Sequence, residues 1–90
     1  MITYEEVLAE QLRDPEFKKL WDENEAEYQA SAALIRARIE KKLSQKELAK
    51  KAKTTQAVIS RIENRSVSPS VGLLQKIALS IGKKLEIRFV

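Results

Sequence analysis

The chain has 90 residues and contains no cysteine, no histidine, only two glycines, two prolines and one tryptophan. Each shortage excludes something. Without cysteine there is no disulfide, thiol nucleophile or thiolate zinc site. Without histidine there is no imidazole base, imidazole metal ligand or Ser-His pair. Gly72 and Gly82 cannot make a Gly-rich phosphate loop. No apolar stretch approaches the roughly 20 residues that span a bilayer. Tyr4-Glu5-Glu6 stands where a signal peptide would place basic residues and an apolar run, so none is expected. The only candidate acids for catalysis are carboxylates such as Glu23 and Glu27, one helical turn apart, and such pairs are ordinary solvated surface. No enzyme and no cofactor is expected. A cysteine-free chain suits a reducing cytoplasm, the expected location. The length allows one small soluble domain, or a domain with an arm.

What the sequence does have is charge, unevenly placed. Residues 1–28 hold nine acids against three bases, a net −6, whereas residues 29–90 hold fourteen bases against four acids, a net +10. A basic domain attracts polyanions and an acidic arm attracts basic surfaces, so two kinds of partner are suggested. Charge alone equally allows two solvated helix faces.

Capping signals divide the chain. Thr3-Tyr4-Glu5-Glu6 has capping-box spacing and opens a short helix at Tyr4. Asp14-Pro15 restarts the chain, with Asp14 as cap and proline at the first helical position. Nothing breaks the helix from there to about Lys42. Phe17, Leu20, Trp21, Tyr28, Ala32, Ile35 and Ile39 fall on one stripe of it, interrupted by Asp22–Glu27, where Asn24 takes an apolar slot. The interruption marks the join of arm and domain, as a continuous helix changing partners or as a hinge. Ser44-Gln45-Lys46-Glu47 is a second capping box, for a helix to about Ala52. Thr55 caps a helix through about Asn64, and Ser70 caps a last one that Gly82 stops. Leu85, Ile87 and Phe89 alternate with Glu86, Arg88 and Val90, a period of two that predicts a strand. A lone strand needs a partner, either its copy in a second chain or another protein.

The helices Gln45–Ala52 and Thr55–Asn64, joined by a tight turn, have the proportions of a helix-turn-helix unit. Leu48, Ala52, Ile59 and Ile62 face inward, and Ala49 sits where only a small side chain fits between crossing helices. Gln56, Ala57, Ser60, Arg61 and Asn64 face outward. That outward set suits base reading, since Arg pairs with guanine, Gln with adenine and Ala with a thymine methyl. The alternative is ordinary polar surface.

The run Leu43-Ser44-Gln45-Lys46-Glu47-Leu48-Ala49-Lys50-Lys51-Ala52, followed by Thr55-Gln56-Ala57-Val58-Ile59-Ser60-Arg61-Ile62-Glu63-Asn64, resembles the Xre/Cro/phage-repressor helix-turn-helix family over about residues 31–82. Two frequent family glycines are replaced, by Lys53 in the turn and by Arg65 after the second helix. The resemblance implies base contacts from Gln56, Ala57, Ser60 and Arg61. It implies backbone contacts from Ser44, Gln45, Lys46, Thr55, Asn64 and Arg65. Arg38 and Glu63 match a structural pair tying the first domain helix to the recognition helix.

The residues Gly82–Val90 resemble the terminal strand of HigA/HipB antitoxins, and Leu12–Phe17 with the acidic helix beyond resembles the arm by which HigA-type antitoxins engage RelE-like toxins. The implied partner is a small basic ribonuclease toxin of the RelE/HigB kind, with Phe17, Leu20, Trp21 and Tyr28 as candidate contacts. The same aromatic stripe could instead pack on its own bundle. The expected architecture is therefore an all-α, five-helix helix-turn-helix protein with an acidic arm at 1–28, a DNA-binding domain at 29–82 and a C-terminal β-strand at 83–90. The strand would pair two chains into a homodimer on a palindromic operator. The implied function is an autorepressing antitoxin. The alternatives are a stand-alone repressor and a protein-interaction module that does not bind DNA.

Overall fold

A computed structural model describes residues 3–90. Its described residues form five helices: α1 (Tyr4–Gln11), α2 (Pro15–Glu40), α3 (Gln45–Lys51), α4 (Gln56–Glu63) and α5 (Val71–Ser80). Each begins at a residue whose short polar side chain satisfies an otherwise orphaned backbone N–H. Thr3 Oγ1 accepts from the Glu6 amide at 3.2 Å, and Asp14 Oδ1 accepts from the Glu16 amide at 3.0 Å. Thr55 and Ser70 do the same for Val58 and Leu73. At α3 the cap is reciprocal. Ser44 Oγ accepts from the Glu47 amide at 3.0 Å while the Glu47 carboxylate accepts from the Ser44 amide at 2.9 Å.

The helix ends share one device. After α2, α3, α4 and α5 the chain turns left-handed at Lys42, Lys53, Arg65 and Gly82, with φ of 56°, 55°, 62° and 71°. In each case the next residue donates its amide back to a carbonyl five residues earlier: Leu43 to Arg38, Thr54 to Ala49, Ser66 to Arg61 and Lys83 to Ala78. These are Schellman closures, in which glycine is the usual left-handed residue because it has no Cβ to clash. Three of the four are made here by Lys or Arg. Lys53 and Arg65, where the related family often has glycine, thus adopt the glycine conformation with a side chain attached.

No hinge interrupts the helix at 22–27. Residues Pro15–Glu40 make one 26-residue helix. Asn24 does not break it, because its amide donates to the Leu20 carbonyl at 2.8 Å, back along its own helix. The core lies at the other end, where Leu34 of α2 meets Leu48 and Ala49 of α3, Ala52 beyond it, Ile59 and Ile62 of α4, and Ile77 and Ile81 of α5 or its end. Leu48 and Ile59 have no exposed surface. Such a core fixes the α3–α4 crossing, and Ala49 at 3% exposed leaves no room there for a larger side chain.

The predicted C-terminal strand is not formed. The described residues contain no strand, and 83–90 carry no regular structure. The alternation of Leu85, Ile87 and Phe89 describes a segment that would satisfy a sheet, but within one chain nothing supplies the partner's hydrogen bonds. The tail instead lies along α2 and α5. Lys83 Nζ bonds Glu40 Oε2 at 3.0 Å, and Leu85 lines an apolar groove with Ala30, Ala33, Ala37, Leu74 and Ala78. Ile87 and Phe89 remain exposed. No helix among the described residues is long and apolar enough to cross a membrane.

Two stability tests follow from this packing. Ile59→Ala, at a fully buried site between α3 and α4, should cost about 2–5 kcal/mol in urea unfolding, since a cavity opens in a thin core. Lys53→Gly should act oppositely. Removing a Cβ from a left-handed residue should raise the denaturation midpoint by about 0.5–1 kcal/mol equivalent, with the m-value unchanged.

Candidate nucleic-acid interface

The geometry of the two motif helices is held by one carboxylate. Glu63, at the last turn of α4, accepts from Arg38 Nε at 2.7 Å and from Arg38 Nη2 at 2.9 Å, a two-pronged pairing of guanidinium and carboxylate. Glu63 Oε1 also accepts from Gln45 Nε2 of α3 at 3.2 Å. The third prong of Arg38, Nη1, donates to the Leu43 carbonyl at 3.0 Å in the connection to α3. One acid thus ties the start of α3 and the end of α4 to the last turn of α2. The Arg38 and Glu63 side chains are only 18% and 8% exposed, so the pair sits largely out of water. Its hydrogen bonds to Glu63 raise the Arg38 pKa above the ordinary arginine value, against the opposing effect of burial.

A second tether was not legible in advance. Ser31, 4% exposed, donates its hydroxyl to the Glu63 backbone carbonyl at 2.6 Å and so caps the C-terminus of α4 from α2. The available signal was its spacing: Ser31 precedes Arg38 by seven residues, two helical turns, and so shares its face.

With the inner side of α4 fixed in this way, the opposite side is set. Ile59 and Ile62 point into the core, and Gln56, Ala57 and Arg61 are exposed, with Ser60 half-buried beside them. These four occupy about 140° of arc at 100° per residue, the width of a helix face that can enter a groove. Thr55 is engaged as the α4 cap. Ser44 and Lys46 are exposed at the start of α3, whereas Gln45 is half-buried and turned to Glu63. Asn64 ends α4, its Oδ1 accepting from the Ser66 amide at 3.0 Å.

Arg65 does not join the outward set. Its guanidinium carbon lies 5.7 Å from the ring centroid of Tyr28 on α2. It is brought instead to the aromatic stripe of the arm. Phe17 and Trp21 stack with centroids 6.4 Å apart, and Trp21 meets Tyr28 at 4.8 Å with the rings tilted by 50°. A groove of about 560 Å³ runs beside them, walled by Val7 and Leu8 of α1, Phe17, Leu20, Trp21 and Glu27 of α2, and Asn64 and Arg65 at the end of α4. Leu20 lies on its rim, 58% exposed. The arm candidates and two of the backbone-contact candidates therefore share one surface.

A family model described as helix-turn-helix (HTH_3) matches residues 34–87, more than half of the chain. The chain belongs to this helix-turn-helix family. Membership identifies it as a sequence-specific DNA-binding transcription regulator, of a kind that typically has no enzymatic activity. Comparisons with curated proteins and with solved structures yield no match. For a helix-turn-helix protein the described geometry has direct meaning: α3 and α4 are the paired motif helices, and α4 is the second of them.

Two measurements test this frame. Glu63→Gln keeps the shape but removes the charge that faces Arg38, and should lower stability by about 2–4 kcal/mol, read by chemical unfolding. The α3 cap should respond to pH. Its backbone and hydroxyl hydrogen bonds to Ser44 hold the Glu47 carboxyl below its ordinary value of 4.5. A depressed folded pKa means that the charged cap contributes stability above that ordinary value and loses it as pH falls through the folded one. The stability gap between the wild type and Glu47→Gln should therefore be present at pH 7 and close on acidification below pH 4.5.

Proposed function

We propose that this helix-turn-helix protein is the antitoxin of a type II toxin–antitoxin pair, repressing its own operon and neutralising a small basic ribonuclease toxin of the RelE/HigB kind. The observation that carries the reading is the continuity of α2. The same continuous helix whose last turn anchors the DNA-binding unit through Arg38 carries, toward its start, an acidic segment bearing Phe17, Leu20 and Trp21 beside an open groove. Aromatic anchors within a field of opposite charge are what a basic protein partner requires.

On the DNA side, Gln56, Ala57, Ser60 and Arg61 read base edges, with Arg61 the residue suited to a two-pronged bond to guanine. Ser44, Gln45, Lys46, Thr55 and Asn64 contact the sugar–phosphate backbone, and Arg65 is available to a phosphate when it leaves Tyr28. Two copies bind as a homodimer, placing their α4 helices in successive major-groove faces about 34 Å apart on a palindromic operator. Val71 and Leu79 on α5, with Ile87 and Phe89 on the tail, supply exposed apolar surface for the second copy. Phosphate neutralisation by the basic residues 29–90 supplies affinity and its steep salt dependence.

One contact favours a second reading. The arm closes onto its own domain where Arg65 meets Tyr28, as it would in a stand-alone repressor whose arm completes the fold.

A pull-down from nuclease-treated lysate of the native host, with the eluate weighed by mass spectrometry, separates the two. A stoichiometric small basic protein, lost with Trp21→Ala and Leu20→Ala together, is the expected result. Recovery of this chain alone would leave the stand-alone repressor. Arg61→Ala should cost about 1–3 kcal/mol per half-site and relax one base position in a selection from random duplexes. Uniform weakening across sequences would make Arg61 a phosphate contact instead.

A further inference from the structure

Arg65 is the point at which the arm and the DNA-binding unit touch. It occupies the left-handed position that closes α4, with φ of 62°, where a glycine would close the helix at less cost and contribute no charge. That backbone sends its side chain away from the face formed by Gln56, Ala57 and Arg61 and back over the Tyr28 ring of α2. Arg65 lines the same groove as Glu27 and Trp21. A cation over an aromatic face is held electrostatically. A phosphate that recruits this cation must take it from Tyr28.

We propose that Tyr28 is a positioning residue for the DNA interface: its ring holds Arg65 back from phosphate and so sets how tightly the protein binds its operator. The inference rests on the reading of α4 as the DNA-contacting helix. It gives Tyr28, one of the arm's aromatic residues, a role on the DNA side. Whatever covers or moves the Tyr28 ring alters operator affinity through Arg65, which links the arm surface to the DNA surface by one side chain.

The test is a double-mutant cycle on the full chain. A duplex selected from random sequence by the wild-type protein is titrated by fluorescence anisotropy with the wild type, Tyr28→Ala, Tyr28→Leu, Tyr28→Phe, Arg65→Ala and the combination of Tyr28→Ala with Arg65→Ala. Circular dichroism confirms that each is folded, and Tyr28→Leu keeps apolar bulk if the alanine variant is not. Loss of the ring should tighten binding about two- to fivefold, the range expected of an exposed cation–π contact. Tyr28→Phe, which keeps the ring face, should bind like the wild type. In the Arg65→Ala background the loss of Tyr28 should have no effect. The single tryptophan, Trp21, 4.8 Å from Tyr28, supplies a second readout: its emission should shift on duplex addition in the wild type but not in Arg65→Ala. The proposal is overturned if Tyr28→Leu leaves affinity unchanged or weakens it, or if its effect is the same with and without Arg65. A different failure marks the underlying reading. If the wild type selects no duplex and Arg61→Ala changes nothing, α4 is not the DNA-contacting helix, and the role given to Tyr28 falls with it.

Discussion

The Glu63 carboxylate is the constraint on which the arrangement depends. It sits at the end of α4, out of most of the water, and must have cationic or N–H partners to remain there as an anion. Arg38 supplies two of them and Gln45 a third, from two other helices. Because the guanidinium is planar and its donors are fixed in a fork, this pairing sets both distance and orientation. The small core beneath, built on Leu48, Ile59 and Ile62, sets how α3 and α4 pack on each other. Hydrophobic burial is non-directional, so it brings α3 and α4 together but does not by itself orient them on α2. Ser31 completes the fixture by bonding the backbone carbonyl of the same residue.

This fixture sets which side of α4 faces outward. The inner side of α4 is committed to Ile59, Ile62 and Glu63, so the side bearing Gln56, Ala57 and Arg61 has one possible outlook. Rigidity behind a recognition surface lowers the ordering cost of binding, which for polar side chains is a large part of what association must overcome. The long α2 extends the rigidity outward. An arm that continues a domain helix carries its side chains at fixed azimuths, whereas an arm on a flexible linker would have to be ordered by its ligand.

Helix boundaries were legible because they are written locally. Thr3, Asp14, Ser44, Thr55 and Ser70 each cap the helix that their identity and spacing announce, and Gly82 ends the last. Caps act over three residues, so a single chain read in order contains the whole interaction. The strand at 83–90 failed for the converse reason. A period of two records which side chains could share a face, but strand formation is decided by a second backbone, and the described residues offer none. Lys53 and Arg65 lie between these cases. Their left-handed geometry follows from the helix endings around them and overrides their own preference.

Reading the residues in order was enough to show a helical protein with a helix-turn-helix at its centre, an acidic segment before it and a basic net charge after it. Periodicity, caps and net charge are all properties of neighbouring residues or of sums over residues. Packing in three dimensions settles that Ser31 joins the Glu63 tether and that Arg65 turns from α4 to Tyr28 on α2. Those outcomes depend on which helix faces meet in space. Ser31 and Glu63 are separated by 32 residues, and no local rule connects them until α2 and α4 are packed.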